Sequence, residues 1–133
     1  MAELTYLQAI SDGLRTEMRR DKRVFVIGED VGVYGGAFKV TLGFQEEFGH
    51  WRVMDAPLAE TAIVGGAAGA AMTGTIPVVE LQFADFMFIA GDEVFHKLAK
   101  WRYMHGGELE LPAVLRAPMG VLGGVGAEHS QSP

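Results

Sequence analysis

Residues 23–28 read RVFVIG, a nearly continuous apolar run without alternation between polar and apolar positions. A strand covered on both faces has this pattern, which is typical of parallel sheets. Three further short strands are predicted at 52–55, 76–83 and 113–116, and the chain length suits one domain. The run at 23–28 therefore indicates the central part of a parallel sheet.

Helical segments lie between these strands. Helices are predicted over 6–20 with Thr5 as N-cap, 41–48, 59–73, and 85–104. Alternating strands and helices imply an α/β fold with right-handed crossovers, a mainly parallel sheet and helices on both faces. Four strands make a short sheet for such a fold, so we expect the chain to be the front part of a longer protein.

The helix predicted over 59–73 is unusually rich in glycine and alanine. Each glycine in a helix interior costs about 1 kcal/mol relative to alanine. Small side chains allow two backbones to approach closely, which compensates for that cost. We therefore expect Gly65, Gly69 or both to meet another helix, one that belongs to a second subunit.

Composition excludes several classes of function. The net charge of -6 argues against nucleic acid as the main partner. The absence of cysteine excludes disulfides and thiolate metal sites. The first residues, MAELTYLQAISDG, lack the layout of a signal peptide, and no stretch has the pattern of a transmembrane helix. We expect a soluble, cytoplasmic protein that binds neither nucleic acid nor membrane.

Polar residues follow the predicted strands at their carboxyl ends. Glu29 and Asp30 follow the first strand, Glu60 the second, and Gln82 the third, while His129 lies in the glycine-rich tail 120–133 beyond the fourth. Ligands of open parallel sheets bind at this edge. The sequence thus predicts a site there.

The residue types alone leave two interpretations of each candidate. Glu60 either complements a helix dipole, worth about 0.3–1 kcal/mol, or faces a ring nitrogen and shuttles a proton. His129 lies either in a simple glycine turn or on a functional loop. Aromatic residues at helical spacing either pack in the core, which is the default, or include one that stacks on a flat ligand; they are Phe83, Phe86, Phe88 and Phe95.

Five stretches, in this order, resemble the beta subunits of pyruvate, branched-chain 2-oxoacid and acetoin dehydrogenases. They are VFVIGEDVGVYGGAFKVTLGF at 24–44, RVMDAPLAETAIVGGAAGAAMTG at 52–74, ELQFADF at 80–86, LAKWRYMHGG at 98–107 and GAEHSQS at 126–132. The resemblance extends along the whole chain and identifies it as the N-terminal portion of a member of this thiamin-diphosphate-dependent family.

The resemblance implies a fold, partners and cofactors. Residues 1–133 would be a transketolase-like pyrimidine-binding domain, without the C-terminal domain of relatives. Family members are heterotetramers of alpha and beta subunits that bind thiamin diphosphate between them. The beta subunit holds the aminopyrimidine ring, and the alpha subunit holds the diphosphate through magnesium. The 2-oxoacid is oxidatively decarboxylated, and its acyl group passes to the lipoamide of an acyltransferase.

The same resemblance assigns roles to residues of this chain. Glu60, in PLAET, would hydrogen-bond the pyrimidine nitrogen remote from the amino group and act in catalysis. Phe86 would lie against the pyrimidine ring, with Gln82 near the same pocket. His129 would face the substrate and either hold its carboxylate or donate a proton. The carbonyl of Ala113 matches one that helps to bind potassium in some relatives, where the other ligands would lie past residue 133.

Two alternatives remain beside a dehydrogenase of pyruvate or a branched-chain 2-oxoacid. One is a non-catalytic or truncated assembly fragment of such a subunit, which would keep the fold without turnover. The other is the pyrimidine-binding half of a transketolase-like enzyme. The stretches EHSQS and LAKWRYMHGG favour the dehydrogenase.

Overall fold

A computed structural model describes residues 3–121 and 123–133 of the chain. The described residues form a four-stranded sheet in the order β2-β1-β3-β4, in which every neighbouring pair is parallel. This confirms the predicted α/β fold with a parallel sheet. Met1 and Ala2 of the predicted domain, and Leu122 of the predicted tail, lie outside the described residues. The strands are β1 Val24–Gly28, β2 Val53–Asp55, β3 Ile76–Glu80 and β4 Val114–Arg116.

One face of the sheet is covered by helix α1, Tyr6–Arg20. Its start is fixed by a reciprocal cap, because the Gln8 N–H donates to Thr5 Oγ1 over 3.2 Å and the Thr5 N–H donates to Gln8 Oε1 over 2.8 Å. The short helix α2, Phe44–Phe48, adds Phe44 to the same core. The buried residues of this face are Met18, Val24, Val26, Val31, Phe44, Val53 and Val78.

The opposite face is covered by helix α3, Glu60–Met72, and by a helix over 91–104. Ile27 and Val79 point to this side, whereas Val26 and Val78 point to α1, as the alternation of a strand requires. The sheet therefore has helices on both faces, as the sequence predicts. The buried residues on this side are Ile63, Val64, Ala67, Val79, Leu81 and Ala90.

The single helix predicted over 85–104 is wrong. A 3₁₀ helix, Ala84–Phe88, comes first, and a turn separates it from the helix over 91–104. That second helix contains a π-helical segment, Glu93–Leu98, and ends with α4, Ala99–Met104. Both departures change the number of residues per turn, so side chains leave the face that an α-helical period predicts. Phe88 and Phe95, predicted to be core residues, are 59% and 50% exposed.

The glycines of α3 divide between two environments. A Cβ at Gly65 would lie 3.3 Å from Cγ of Glu93, so this glycine meets a helix of its own chain. A Cβ at Gly66 or Gly69 would meet nothing within 4 Å among the described residues. Gly66 and Gly69 share one exposed helix face with Ala62 and Thr73. The close contact expected at Gly65 is thus internal, and that expected at Gly69 is not made within the chain.

No helix in the described ranges 3–121 and 123–133 combines the length and the hydropathy needed to span a bilayer.

Candidate functional site

The carboxyl ends of the four strands lie in register. Asp55 of β2 is level with Gly28 of β1, which is level with Glu80 of β3 and then Arg116 of β4. Glu80 is almost fully buried and forms an ion pair with Arg116. Burial raises the pKa of Glu80, and the Arg116 guanidinium opposes that rise. At Gly28 a side chain would collide with the carbonyl of Glu80, so glycine lets the two strands meet here.

Four polar side chains stand immediately beyond this row. Glu29 follows β1 and is only 3% exposed, and neither of its carboxylate oxygens has a hydrogen-bond partner among the described residues. Burial raises the pKa of Glu29, and repulsion from Glu60 and Asp30 raises it further. Asp30 has a φ of 56° and accepts a hydrogen bond from Gln82 Nε2 over 3.3 Å. The ends of β1 and β3 and the start of α3 thus share one acidic site.

Glu60 is the first residue of α3, so its carboxylate does lie where a helix dipole favours negative charge. That interpretation does not account for its burial beside Glu29. A carboxylate that only complements a dipole remains hydrated, and buried glutamates are rare unless they are paired. Two buried carboxylates, one of which has no hydrogen-bond donor within residues 3–121 and 123–133, mark this edge of the sheet as a candidate binding site.

Sequence reasoning placed Glu29 at the correct edge of the sheet but gave it no role. The signal was present, because Glu29 directly follows the most apolar strand. A carboxylate at the end of a fully buried strand is partly shielded from water, and this shielding raises its pKa.

We expect Glu29→Gln to stabilise the chain at neutral pH by about 0.5–2 kcal/mol, the range of single stabilising changes. Because the folded-state pKa of Glu29 is raised above its ordinary value of 4.5, its contribution to stability is lost as pH rises through the folded-state pKa. The stabilisation by Glu29→Gln should therefore vanish at pH values below the ordinary carboxyl pKa. Urea unfolding at neutral and acidic pH measures it; a variant less stable than the parent at neutral pH would contradict the argument.

A second group of residues at this edge is aromatic. The ring of Phe83 makes edge-on contacts with Phe38, Phe86 and His129 at centroid distances of 6.0, 6.1 and 4.6 Å. The rings of Phe86 and His129 are 5.3 Å apart. Phe38, Phe83 and His129 line a cavity of about 90 Å³ whose remaining wall is the segment 118–121. The group joins the loop after β1, the 3₁₀ helix after β3 and the loop after β4.

His129 ends the short 3₁₀ helix Ala127–His129 and is half-buried. Its Nδ1 lies 3.2 Å from the carbonyl oxygen of Val125. A carbonyl oxygen only accepts hydrogen bonds, so this contact assigns the proton of the neutral ring to Nδ1. Nε2 is then the ring atom left to accept a proton or, in the imidazolium, to donate one.

The candidates from the sequence fall into these two groups. Glu60 lies with Glu29, Gln82 contacts Asp30, and Phe86 contacts His129.

Two residues of the aromatic group were missed. Phe38 was not among the candidates, and Phe83 was grouped with the aromatic residues at helical spacing, for which packing in the core is the default. The strand ends at Glu80, which places Phe83 in the loop at the site. A ring contact between residues far apart in the chain leaves no periodic signal.

Ala113 lies immediately before β4, at the amino ends of the strands, whereas Glu60 lies beyond their carboxyl ends. Its role as a potassium ligand through the carbonyl stays a prediction. Within residues 3–121 and 123–133, no group of three or more His, Cys, Asp or Glu side chains is arranged to hold a metal ion.

The family model described as the transketolase pyrimidine-binding domain matches residues 2–133. The chain belongs to this family. Its domain is the parallel sheet described above, with the two groups of site residues at the carboxyl edge. This membership confirms the family and the fold that the sequence motifs imply.

This pyrimidine-binding domain is similar to parts of longer proteins. It is 50% identical to a 2-oxoisovalerate dehydrogenase subunit beta of Bacillus subtilis, in an alignment that covers 99% of this chain and 40% of the relative. It is 50% identical to a pyruvate dehydrogenase E1 component subunit beta of Staphylococcus epidermidis, over 94% of this chain and 38% of the relative. The corresponding Bacillus subtilis subunit is 49% identical over the same shares. The chain thus spans about two fifths of the length of these curated relatives.

Proposed function

We propose that the chain, as a pyrimidine-binding domain over 1–133, works in the beta subunit of a 2-oxoacid dehydrogenase that uses thiamin diphosphate. The similar proteins named as pyruvate and 2-oxoisovalerate dehydrogenase beta subunits support this proposal. The observation that carries it is the buried pair Glu29 and Glu60 at the carboxyl edge of the sheet. The cytoplasmic location expected from the sequence is part of the same proposal.

The residues present fit the pyrimidine end of that cofactor. When bound, thiamin diphosphate supplies a thiazolium ring that adds to the keto carbon and accepts the electron pair released with carbon dioxide. Glu60 would hold and return a proton at the ring nitrogen remote from the amino group. Glu29, which is buried and has no hydrogen-bond partner in the part of the chain that the structure describes, would pair with a group that the cofactor donates. Phe86 would pack on the ring, with Gln82 at its margin.

His129 would act at the substrate end of the site. Because its Nδ1 donates to the carbonyl of Val125, its Nε2 is the ring atom that would exchange a proton or hydrogen-bond with the substrate. As an imidazolium it would bind the substrate carboxylate or donate a proton, and as a neutral ring it would accept one. The edge-on contacts of Phe83 and Phe86 restrict the orientation of the imidazole ring.

The remaining parts of the site would come from an alpha subunit. The sequence has no stretch that resembles the GDG-plus-Asn magnesium motif of alpha subunits. We propose that the alpha partner holds the diphosphate and magnesium and that the acyl group passes to a lipoyl acyltransferase. Potassium binding through the carbonyl of Ala113 belongs to the same proposal, with its other ligands outside this chain.

We expect the isolated chain to bind thiamin diphosphate weakly, because it holds only the pyrimidine side of the site. Calorimetry with magnesium present measures this, first with the chain and then with an alpha partner added. Binding should tighten on addition of the partner. Micromolar affinity of the chain alone, about -8 kcal/mol, would contradict the proposed division between subunits.

The reaction itself is tested with the beta subunit, an alpha partner and lipoylated acyltransferase. Reduction of the lipoyl group with pyruvate or 2-oxoisovalerate supports the proposal, and the ratio of the two kcat/KM values identifies the preferred acid. A second candidate, a non-catalytic assembly fragment of such a subunit, would keep the fold without turnover. Assembly with the alpha partner without turnover would select that candidate.

The exposed face of α3, composed of Ala62, Gly66, Gly69 and Thr73, is our proposed contact with another subunit. Its flatness allows a second helix to approach closely.

We expect Gly69→Leu to weaken assembly by roughly 1–3 kcal/mol through overpacking, while the chain itself stays folded. Gly65→Leu is the matched variant, because it meets Glu93 within the chain and should instead lower the free energy of unfolding. Sedimentation with the alpha partner and urea unfolding of the chain separate the two effects. Assembly of Gly69→Leu equal to that of the parent would remove α3 from the interface.

A further inference from the structure

We propose that Asp85 is a positioning residue that ties the loop bearing His129 to the 3₁₀ helix bearing Phe86. The proposal rests on the proposed function, since it assigns Asp85 the task of holding His129 at the substrate end. It is carried by a hydrogen bond between segments 46 residues apart in sequence.

Asp85 is 8% exposed, and its Oδ1 accepts a hydrogen bond from the backbone N–H of Gln131 over 3.2 Å. Gln131 follows His129 by two residues. Its carbonyl accepts from the N–H of Gly120 over 3.1 Å, which joins the two arms of the loop. The other arm is held directly, because the N–H of Ala84 donates to the carbonyl of Pro118 over 2.8 Å. Ala84 and Asp85 thus fasten both arms of the loop over 118–131.

This side chain does not serve its own helix. The residue that caps the 3₁₀ helix is Phe83, and no side chain caps its first turn. An aspartate near a helix start usually accepts from the N–H groups of that helix. Asp85 instead reaches a distant backbone donor. Its neighbour Phe86 contacts the His129 ring, so one short helix holds both the ring and the loop of the histidine.

The backbone of this loop is held to the domain by the contacts of Ala84 and Asp85, and its His129 ring packs on Phe83 and Phe86. Gly120, Gly124 and Gly126 have positive φ angles, and most of the described residues between them are exposed. Such a segment orders only where specific contacts hold it. The Asp85 contact holds the arm of the loop that carries His129, so its loss should loosen the position of His129 while the ring contacts remain.

The second oxygen of Asp85 determines the choice of variants. Oδ2 is buried and has no hydrogen-bond partner among the described residues. Asn keeps the Oδ1 acceptor for Gln131 and replaces this charged oxygen by a neutral amide. Leu keeps the branched shape and removes the acceptor. Gln131→Pro removes the donor from the other side and leaves the buried carboxylate in place.

The experiment compares Asp85→Leu, Asp85→Asn and Gln131→Pro with the parent, and uses exposed Asp92→Asn as the control. Amide exchange of Gln131, followed by nuclear magnetic resonance in the chain, should quicken about 3- to 10-fold in Asp85→Leu, as expected for one ordinary hydrogen bond. In the enzyme assembled with the alpha partner, kcat/KM for the 2-oxoacid should fall on the order of 10- to 100-fold in Asp85→Leu and Gln131→Pro. In Asp85→Asn both the exchange rate of the Gln131 amide and kcat/KM should stay close to the parent values. Asp92→Asn should change neither quantity.

Unchanged Gln131 exchange in Asp85→Leu overturns the proposal, as does faster exchange with unchanged kcat/KM. If Asp85→Leu does not fold, kcat/KM of Gln131→Pro decides in its place, and a parent-like value overturns the proposal. Failure of the proposed function is distinct, because the parent enzyme itself would then not turn over 2-oxoacids. In that case Gln131 exchange still decides whether Asp85 holds the loop.

Discussion

Glu60→Gln in the enzyme assembled with its alpha partner should lower kcat by about 10²–10⁴-fold, the usual contribution of a general acid–base group. Glutamine keeps the shape of the side chain and can still form a hydrogen bond. It has no ionisable proton to share with a ring nitrogen. The loss should therefore appear in turnover, while the circular dichroism spectrum and the unfolding midpoint of the chain stay close to those of the parent.

The matched control for this prediction is Glu46→Gln, which removes a carboxylate from an exposed position in the first turn of α2. It should leave both turnover and stability unchanged. A Glu60→Gln enzyme that kept more than half of the parent rate would show that Glu60 is only a helix-start residue.

Arg116→Met should cost the chain about 3–5 kcal/mol of folding free energy at neutral pH, as when one partner of a buried ion pair is removed. Methionine fills a similar volume, but the Glu80 carboxylate loses the cation that pairs with it while it stays buried. A loss of this size is a large part of the total stability of a typical domain, about 5–15 kcal/mol. Urea unfolding followed by circular dichroism measures it.

The pH dependence follows from the direction of the Glu80 shift. Burial already raises the folded-state pKa of Glu80, and Arg116 lowers it, so removal of Arg116 raises it further. A carboxyl with a raised folded-state pKa loses its contribution as pH rises through that pKa. The loss of folding free energy in Arg116→Met should therefore be greatest at neutral pH and become smaller at pH values below the ordinary carboxyl pKa.

Two further variants separate charge from packing. The double variant Glu80→Gln with Arg116→Met should regain most of the loss, because no buried charge is left without a partner. Arg23→Met, which removes an exposed ion pair with Asp21, should cost about 0–1 kcal/mol. An equal cost for Arg116→Met at neutral and acidic pH would mean that lost packing, and not the unpaired carboxylate, destabilises the chain.

Local patterns made much of the fold predictable. The apolar run at 23–28 identified β1, and Thr5 as N-cap set the start of α1. Parallel strands place their carboxyl ends at one edge, so the topology alone indicated that Glu60 and Gln82 belong to one site. In each case the signal is carried by residues close in sequence or by a rule of topology.

Other features depend on contacts that sequence spacing does not record. The break between Phe88 and the helix over 91–104 leaves no Pro signal, and a continuous helix was the simplest interpretation of the pattern. The ring contacts of Phe83 with Phe38 and His129 join three separate loops. The ionisation of Glu29 depends on burial by the whole domain.

The π-helical segment Glu93–Leu98 has a consequence for the evolution of this surface. Such a segment is equivalent to one extra residue in an α-helix. Each residue turns an α-helix by about 100°, so loss of one residue there would rotate α4 by that angle relative to Glu93. Glu93 would keep its place against Gly65 while Trp101 and Tyr103 moved to another side. Loss of one residue in this segment therefore reorients the outer surface of α4 relative to the start of the helix.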